Sequence, residues 1–322
     1  MEKLKQVIPS FLRKETEKPF IVSIMGQTGV GKSSLVNALF STHFKTDPIQ
    51  PCTKKIEEHI EKDSSGHELH FYDLPGIGEA GTVNEGYLDT YREKLEESDV
   101  VLWAIHADNR SFTFDLNSLN QILKQFDSKK QNQLISKITF VLTKVDLLRE
   151  DPWILFVLGD DGMFNPGPKT KELLEKKSEY CQTHFITPYS EQLISNTFRD
   201  NEAVISDSRF SFSEDYVEFG EFMDEATFNS LKQSYPQHKF LLTRLFNNHQ
   251  AIPCSSLFKY NLHQLMRVVI DRLDPSAIGR FSHFVKQDSV SKISIEKAKK
   301  LGNIVASDIY GEILFDLINL KH

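Results

Sequence analysis

One run of residues, Gly26-Gln27-Thr28-Gly29-Val30-Gly31-Lys32-Ser33, restricts this chain more than any other feature in it. It fits the pattern G-x-x-x-x-G-K-[ST]. The apolar run Phe20–Met25 before it reads as a strand, and Lys32–Phe40 after it reads as a helix. That strand-turn-helix context is the one in which the pattern cradles phosphate. A polyphosphate crowds negative charge into a small volume. A loop whose backbone N–H groups converge on it, with the positive end of a helix dipole behind, can hold that charge. Glycines at 26, 29 and 31 keep side chains out of the way. Gln27, Thr28, Gly29, Val30 and Gly31 are expected to supply the cradle. Lys32 is expected to reach the β- and γ-phosphates, the Ser33 hydroxyl to bind Mg2+, and Ser34 to complete the nucleotide contacts.

Four further segments extend the site. Asp73-Leu74-Pro75-Gly76 ends an expected strand 41 residues after Lys32. A carboxylate there can hold magnesium and the Gly76 N–H can meet the γ-phosphate. Thr53, in the loop Pro51-Cys52-Thr53-Lys54, can close over metal and γ-phosphate and release after hydrolysis; Thr42 and Thr46 are its nearest competitors. Thr143-Lys144-Val145-Asp146 follows another expected strand. Guanine presents N1–H and an exocyclic amine side by side, and one carboxylate at Asp146 accepts from both. Adenine lacks that donor pair and would leave the carboxylate unpaired, so GTP and GDP are the expected ligands. Lys144 would lie along the base and brace the phosphate loop. The backbone of Ser255 and Ser256, in Ile252-Pro253-Cys254-Ser255-Ser256-Leu257, is expected to bond the guanine carbonyl. That loop lies 109 residues beyond Asp146, so an insertion must loop out between them.

The rest of the chain supports an α/β reading. Ile56–Lys62 and Glu68–Asp73 read as a hairpin about Asp63-Ser64-Ser65-Gly66. Val100–Ile105 and Ile138–Thr143 read as strands, and helical patterns fall near 84–98, 115–128, 169–183 and 262–273. Strands alternating with helices imply a mostly parallel sheet with helices on both faces. Residues 1–18 carry Leu4, Val7, Ile8, Phe11 and Leu12 on one helical face, either packed on the domain or serving as a reversible anchor. Residues 19–275 form the expected nucleotide domain, with the insertion at about 185–249. Within it, Arg199–Glu225 holds nine acidic residues against two basic ones, interleaved with phenylalanines. Residues 276–322, with Ile304, Val305, Ile309, Ile313, Leu314, Leu317 and Ile318, read as a helical extension.

A net charge of −7 gives no general attraction to nucleic acid or anionic lipid, so no DNA partner is expected, while a local basic patch leaves RNA open. Cys52, Cys181 and Cys254 form no paired motif, and charges interrupt the N-terminal apolar pattern. These features point to a reduced cytoplasmic protein, with peripheral membrane contact left open.

The ordered set Gly26–Ser33, Thr53, Asp73–Gly76, Thr143–Asp146 and Ser255–Ser256 resembles the Era-like branch of the translation-factor class of GTPases. The strings IVSIMGQTGVGKSSLVNALF, YDLPGIGE and ESDVVLWAIHADNR are similar to bacterial proteins described as ribosome-binding GTPases, and also to septin-like and interferon-inducible GTPases. The resemblance covers about 20–185 and 250–273. It implies a three-layer P-loop GTPase domain with helical N- and C-terminal extensions, acting with Mg2+ as a conformational switch. Ribosome, RNA or membrane partners, and a homodimer across the nucleotide face, are what such a resemblance suggests.

Three departures qualify it. Ile77 stands where Ras-like enzymes carry a water-positioning glutamine, so hydrolysis needs help from elsewhere. Arg110, offered to a dimer partner's phosphate, and Glu79 are candidates for that help; His106 reads as structural. Gly29 stands where potassium-activated relatives carry asparagine. Nothing after residue 273 offers the GxxG loop of Era's RNA-binding domain. A nucleotide-gated assembly module with negligible turnover is the competing expectation.

Overall fold

The computed structural model describes residues 18–40, 56–75, 85–198, 205–213, 216–273, 275–282, 284, 291–301, 304–308 and 310–316. In chain order the first elements are β1 (Phe20–Gly26), α1 (Lys32–Phe40), β2 (Glu57–Lys62), β3 (Glu68–Pro75), α2 (Glu85–Glu97) and β4 (Val100–His106). They are followed by α3 (Thr113–Leu123), α4 (Ser128–Lys137), β5 (Ile138–Thr143), β6 (Trp153–Leu158), β7 (Asp161–Pro166) and α5 (Pro168–Phe185). Next come β8 (Ser195–Phe198), β9 (Phe210–Phe212), β10 (Tyr216–Phe219), α6 (Glu225–Ser234), α7 (Lys239–Asn247), β11 (Ile252–Pro253) and α8 (Leu262–Asp271). The last are α9 (Pro275–Ser282), β12 (Ile293–Ser294), α10 (Ile295–Lys299), β13 (Ile304–Ser307) and β14 (Ile313–Asp316).

The central sheet runs β11-β5-β4-β1-β3-β2. Its pairings are parallel except the β2–β3 hairpin, which is antiparallel. Alternation along each strand sends side chains to two layers. In β4, Val100 and Leu102 join the core beneath α1, α8 and α9, with Leu35, Val36 and Leu265. Val101, Trp103 and Ile105 join the opposite core with α2, α3, α4 and α5, through Leu95, Leu119, Leu134 and Phe185. This is the expected three-layer α/β arrangement. It places the C-terminal ends of β1, β3, β5 and β11, where the phosphate-loop, Asp73, Thr143–Asp146 and Ser255 motifs lie, on one side of the sheet.

The chain leaves simple alternation earlier than the 185–249 boundary suggests. A hairpin, β6 with β7, precedes α5 and joins β12, β13 and β14 in a five-stranded sheet ordered β12-β7-β6-β13-β14. Trp153, Leu155, Phe164, Ile304 and Ala306 bury this sheet against the same core as α3–α5. Here the helical reading of 276–322 is corrected. Among the described residues of this segment helix is confined to α9 and α10, and Ile304–Ser307 pairs in parallel with Trp153–Phe156. Short apolar runs fit helix and strand alike, and an available edge on β6 decides between them. The described residues of the insertion have a core of their own: β8, β9, β10, α6 and α7 enclose Phe210, Val217, Phe219, Met223, Leu231, Leu242 and Leu245. Arg244 of α7 makes a buried ion pair with Asp271 of α8, fastening this unit to the main domain. The 1–17 pattern lies outside the described residues. Among the described residues, no helix is long and apolar enough to cross a membrane.

Candidate functional site: a phosphate cradle and a base-reading loop

The cradle follows directly from β1. Gly26 adopts φ 133°, and a Cβ there would fall 2.1 Å from the Ala104 carbonyl oxygen, so glycine is required by both backbone and space. Gly31 adopts φ 97° where the Lys144 side chain passes at 3.5 Å from a notional Cβ. The turn between them is held at several points. Thr143 Oγ1 donates to the Val30 carbonyl at 2.7 Å, and Lys144 Nζ donates to the Gly29 carbonyl at 2.6 Å. Lys144 itself sits at φ 56°, the left-handed region, which costs a non-glycine residue about 1–2 kcal/mol. That conformation aims its side chain from the end of β5 across to the phosphate loop. Gln27 Nε2 donates to Asp115 Oδ2 at 2.8 Å. Asp115 was not singled out in the sequence, where a carboxylate in a helix's first turn reads as an ordinary dipole partner.

Lys32 is buried at the start of α1. Its ammonium donates to Gly26 O at 3.0 Å and lies 3.7 Å from Asp73 Oδ1 at the end of β3. Ser33 and Ser34 follow it, both half-buried, and Asp73 is 8% exposed. A hydroxyl and a carboxylate beside an ammonium are hard oxygen donors of the kind magnesium takes alongside phosphate oxygens. The donor set therefore fits Mg2+, with Ser33 and Asp73 as the residues to hold it. Thr53 and Gly76 lie outside the described residues, as do Ile77 and Glu79.

The base side is built from the ends of β5 and β11. Cys254 N donates to Leu142 O at 2.7 Å and Val145 N to Cys254 O at 3.4 Å, so the two loops form one ledge. On it, Ser255 Oγ donates to Asp146 Oδ1 at 2.6 Å, with Asp146 5% exposed and Ser255 fully buried. Residues 109 apart in sequence thus meet, closing the excursion through the insertion. One expectation is corrected. The Ser255 N–H donates to Tyr260 O at 3.2 Å, so its amide is engaged within the loop, and it is its buried hydroxyl that touches a site residue, Asp146. Ser256, the next residue, is half-buried.

His106 ends β4 beside these residues. Its Nδ1 accepts from Asp108 N at 3.2 Å, which places the proton on Nε2. Burial and the neighbouring Lys144 ammonium hold its pKa below the usual histidine range, so it is a neutral turn residue at pH 7. Arg110 is exposed on the loop that follows.

Residues 21–144 match the family described as 50S ribosome-binding GTPase. This segment is similar to the P-loop GTPase domains of Era-like proteins. The chain is 36% identical to YkfA of Escherichia coli (strain K12) over 118 residues, 36% of this chain and 41% of that one. It is 26% identical to the GTPase Era of Geotalea daltonii over 153 residues, 46% of this chain and 48% of that one. The chain thus spans less than half the length of these curated relatives. Among solved structures, Toc33 from Arabidopsis thaliana in complex with GDP and Mg2+ aligns at 23% identity with a TM-score of 0.38, covering 57% of this chain and 68% of that one. The GTPase domain's match ends at Lys144, so Asp146, the insertion, the second sheet and the Ser255 loop lie beyond it.

Proposed function

We propose that this chain binds GTP and GDP at the ledge between Gly26–Ser34 and Thr143–Asp146, and hydrolyses GTP to GDP and phosphate with Mg2+. The observation that carries the proposal is the double tie between the two halves of the site. Lys144 braces Gly29 in the cradle, while Asp146, two residues on, is oriented by Ser255 for a base. Phosphate and base recognition are thereby fixed at one separation. The amides of the cradle and the Lys32 ammonium bind the phosphates; the Asp146 carboxylate accepts from guanine N1–H and the exocyclic amine. Ser33, Asp73 and, from the 41–55 loop, Thr53 hold the metal. Magnesium, when bound, neutralises charge that builds on the phosphate oxygens during in-line attack by water. Lys32, Thr53 and the Gly76 amide steady the transferring group. The useful output is a conformational switch between the GTP- and GDP-bound states.

Ile77 favours a second reading. With no glutamine to orient water, either a partner supplies the missing group, Arg110 of a second copy being one source, or the protein is a nucleotide-gated assembly module with negligible turnover. A cytoplasmic location with ribosome, RNA or membrane partners belongs to the same proposal. Calorimetry with GTP, GDP and ATP, together with phosphate release measured across protein concentration, tests it. Guanine nucleotides are expected to bind and ATP to fail. Turnover per molecule that climbs with concentration supports dimer activation; flat, near-zero turnover with tight GTP binding supports the module. Equal binding of ATP overturns both.

A further inference from the structure

We infer that Asp115 is a positioning residue for the phosphate loop, acting through the side chain of Gln27. The inference rests on the proposed nucleotide site. Asp115 is 1% exposed, in the first turn of α3. Its two carboxylate oxygens serve two different elements. Oδ2 accepts from Gln27 Nε2 at 2.8 Å, and Oδ1 accepts from Trp103 Nε1 at 3.1 Å. Trp103 is itself immobilised, 1% exposed in β4 and packed on Phe140 and Phe185. The carboxylate is therefore fixed from the sheet side, and it passes that fixity to the loop.

The loop needs such an anchor. Gly26, Gly29 and Gly31 leave its backbone three loose joints, all at positive φ. Its far half is tied by Thr143 to Val30 and by Lys144 to Gly29. Its near half carries Gln27, whose carbonyl accepts from Val30 N at 3.4 Å and lies 3.5 Å from Lys32 Nζ. Holding the Gln27 side chain thus holds the peptide that shapes the turn and faces the ammonium. A cradle set before the anion arrives loses less ordering entropy on binding. A carboxylate suits the task better than a neutral acceptor, because it accepts from both donors and makes the stronger bond to each. A carboxylate that merely satisfied the indole would need no second partner in the loop.

The test uses the full chain, with calorimetric GDP and GTP affinities and Tm for each variant. Gln27→Glu sets a second carboxylate beside Asp115 and is expected to weaken both nucleotides at least about tenfold. Asp115→Asn added to Gln27→Glu exchanges donor and acceptor, and is expected to return affinity to within about threefold of wild type. That rescue separates positioning from simple repulsion, because the charge added near the phosphates persists in the double variant. Gln27→Ala removes the link without adding charge and should weaken binding of both nucleotides; a fall in Tm with affinity unchanged would mark the contact as structural only. A double variant as weak as Gln27→Glu alone, or Gln27→Ala binding like wild type, overturns the inference while leaving the site intact. A wild-type protein that binds no guanine nucleotide overturns the proposed function and this inference with it.

Discussion

Replacing Asp146 by asparagine isolates the base-reading step. The carboxylate is 5% exposed and its Oδ1 already accepts from Ser255 Oγ at 2.6 Å. Asparagine keeps that acceptor, so the ledge should fold as before and Tm should stay close to wild type. What changes is the face offered to the base. A carboxylate accepts from N1–H and from the exocyclic amine of guanine; the amide accepts from one and turns a donor toward the other. Losing one hydrogen bond to a charged group costs about 1.5–3 kcal/mol, and leaving a buried donor facing a donor costs about 1–3 kcal/mol more. The sum, about 2.5–6 kcal/mol, corresponds to roughly 10²–10⁴-fold weaker GDP binding. Xanthine carries a carbonyl where guanine has the amine, so the same variant should gain affinity for XDP. Calorimetry with GDP, XDP and ADP on both proteins gives the comparison. A variant that binds GDP within about threefold of wild type, or that gains for ADP as much as for XDP, would refute the assignment of this carboxylate to the base.

Other expectations follow from the same geometry. Lys144→Gly removes the tie to Gly29 but relieves a left-handed backbone, so nucleotide affinity should fall while Tm holds or rises; a parallel loss of both would show that Lys144 is only structural. Gly26→Ala meets the Ala104 carbonyl at 2.1 Å and should destabilise by more than about 3 kcal/mol, whereas Gly29→Ala points into open space and should cost about 1 kcal/mol of backbone strain; denaturant midpoints of the two rank them. His249, buried with Ile194 O as acceptor, has its pKa driven down to about 3 by burial and by the nearby Arg272. The unfolded chain therefore binds a proton that the folded chain refuses between pH 6.5 and about 3. Stability should be full above that window and fall with decreasing pH inside it, by up to about 1.4 kcal/mol per unit. His249→Gln should flatten that part of the stability curve, and an unchanged slope would contradict the argument.

What could be read in the sequence was what local chemistry dictates. The phosphate loop declares itself because its glycines, lysine and serine must be contiguous, and the strands β1, β4 and β5 because they are apolar on both faces. The Asp146–Ser255 pairing was readable only as an ordered pair of loops, since nothing local forces two segments so distant together. Asp115 carried no signal, because its role depends on Gln27 and Trp103 arriving from other elements. The Ser255 amide was misread because its partner, Tyr260 O, belongs to a bridge that closes only when the loop is folded. The C-terminal strands were misread for a different reason. Ile304–Ser307 and Ile313–Asp316 are each four residues long, too short for periodicity to separate 2.0 from 3.6.

The second sheet bears directly on the base-reading loop. Phe258 is 1% exposed, stacked on Phe164 of β7 at 4.2 Å and set edge-on to Trp153 of β6 at 5.3 Å. Its backbone N–H donates to Ser255 Oγ at 2.9 Å, the same hydroxyl that donates to Asp146. The hydroxyl thus takes its direction from a peptide whose side chain is clamped by β6 and β7. Trp153 also meets the Tyr260 ring, whose residue closes the bridge to Ser255. Elements outside the 21–144 match therefore set the orientation of the carboxylate proposed to read guanine. An excision of the β6–β7 hairpin should leave the cradle's ties through Thr143 and Lys144 in place while freeing Ser255. Phosphate recognition and base discrimination would then separate, with GDP and ADP converging in affinity. If discrimination survives that excision in a folded protein, the clamp has no part in it.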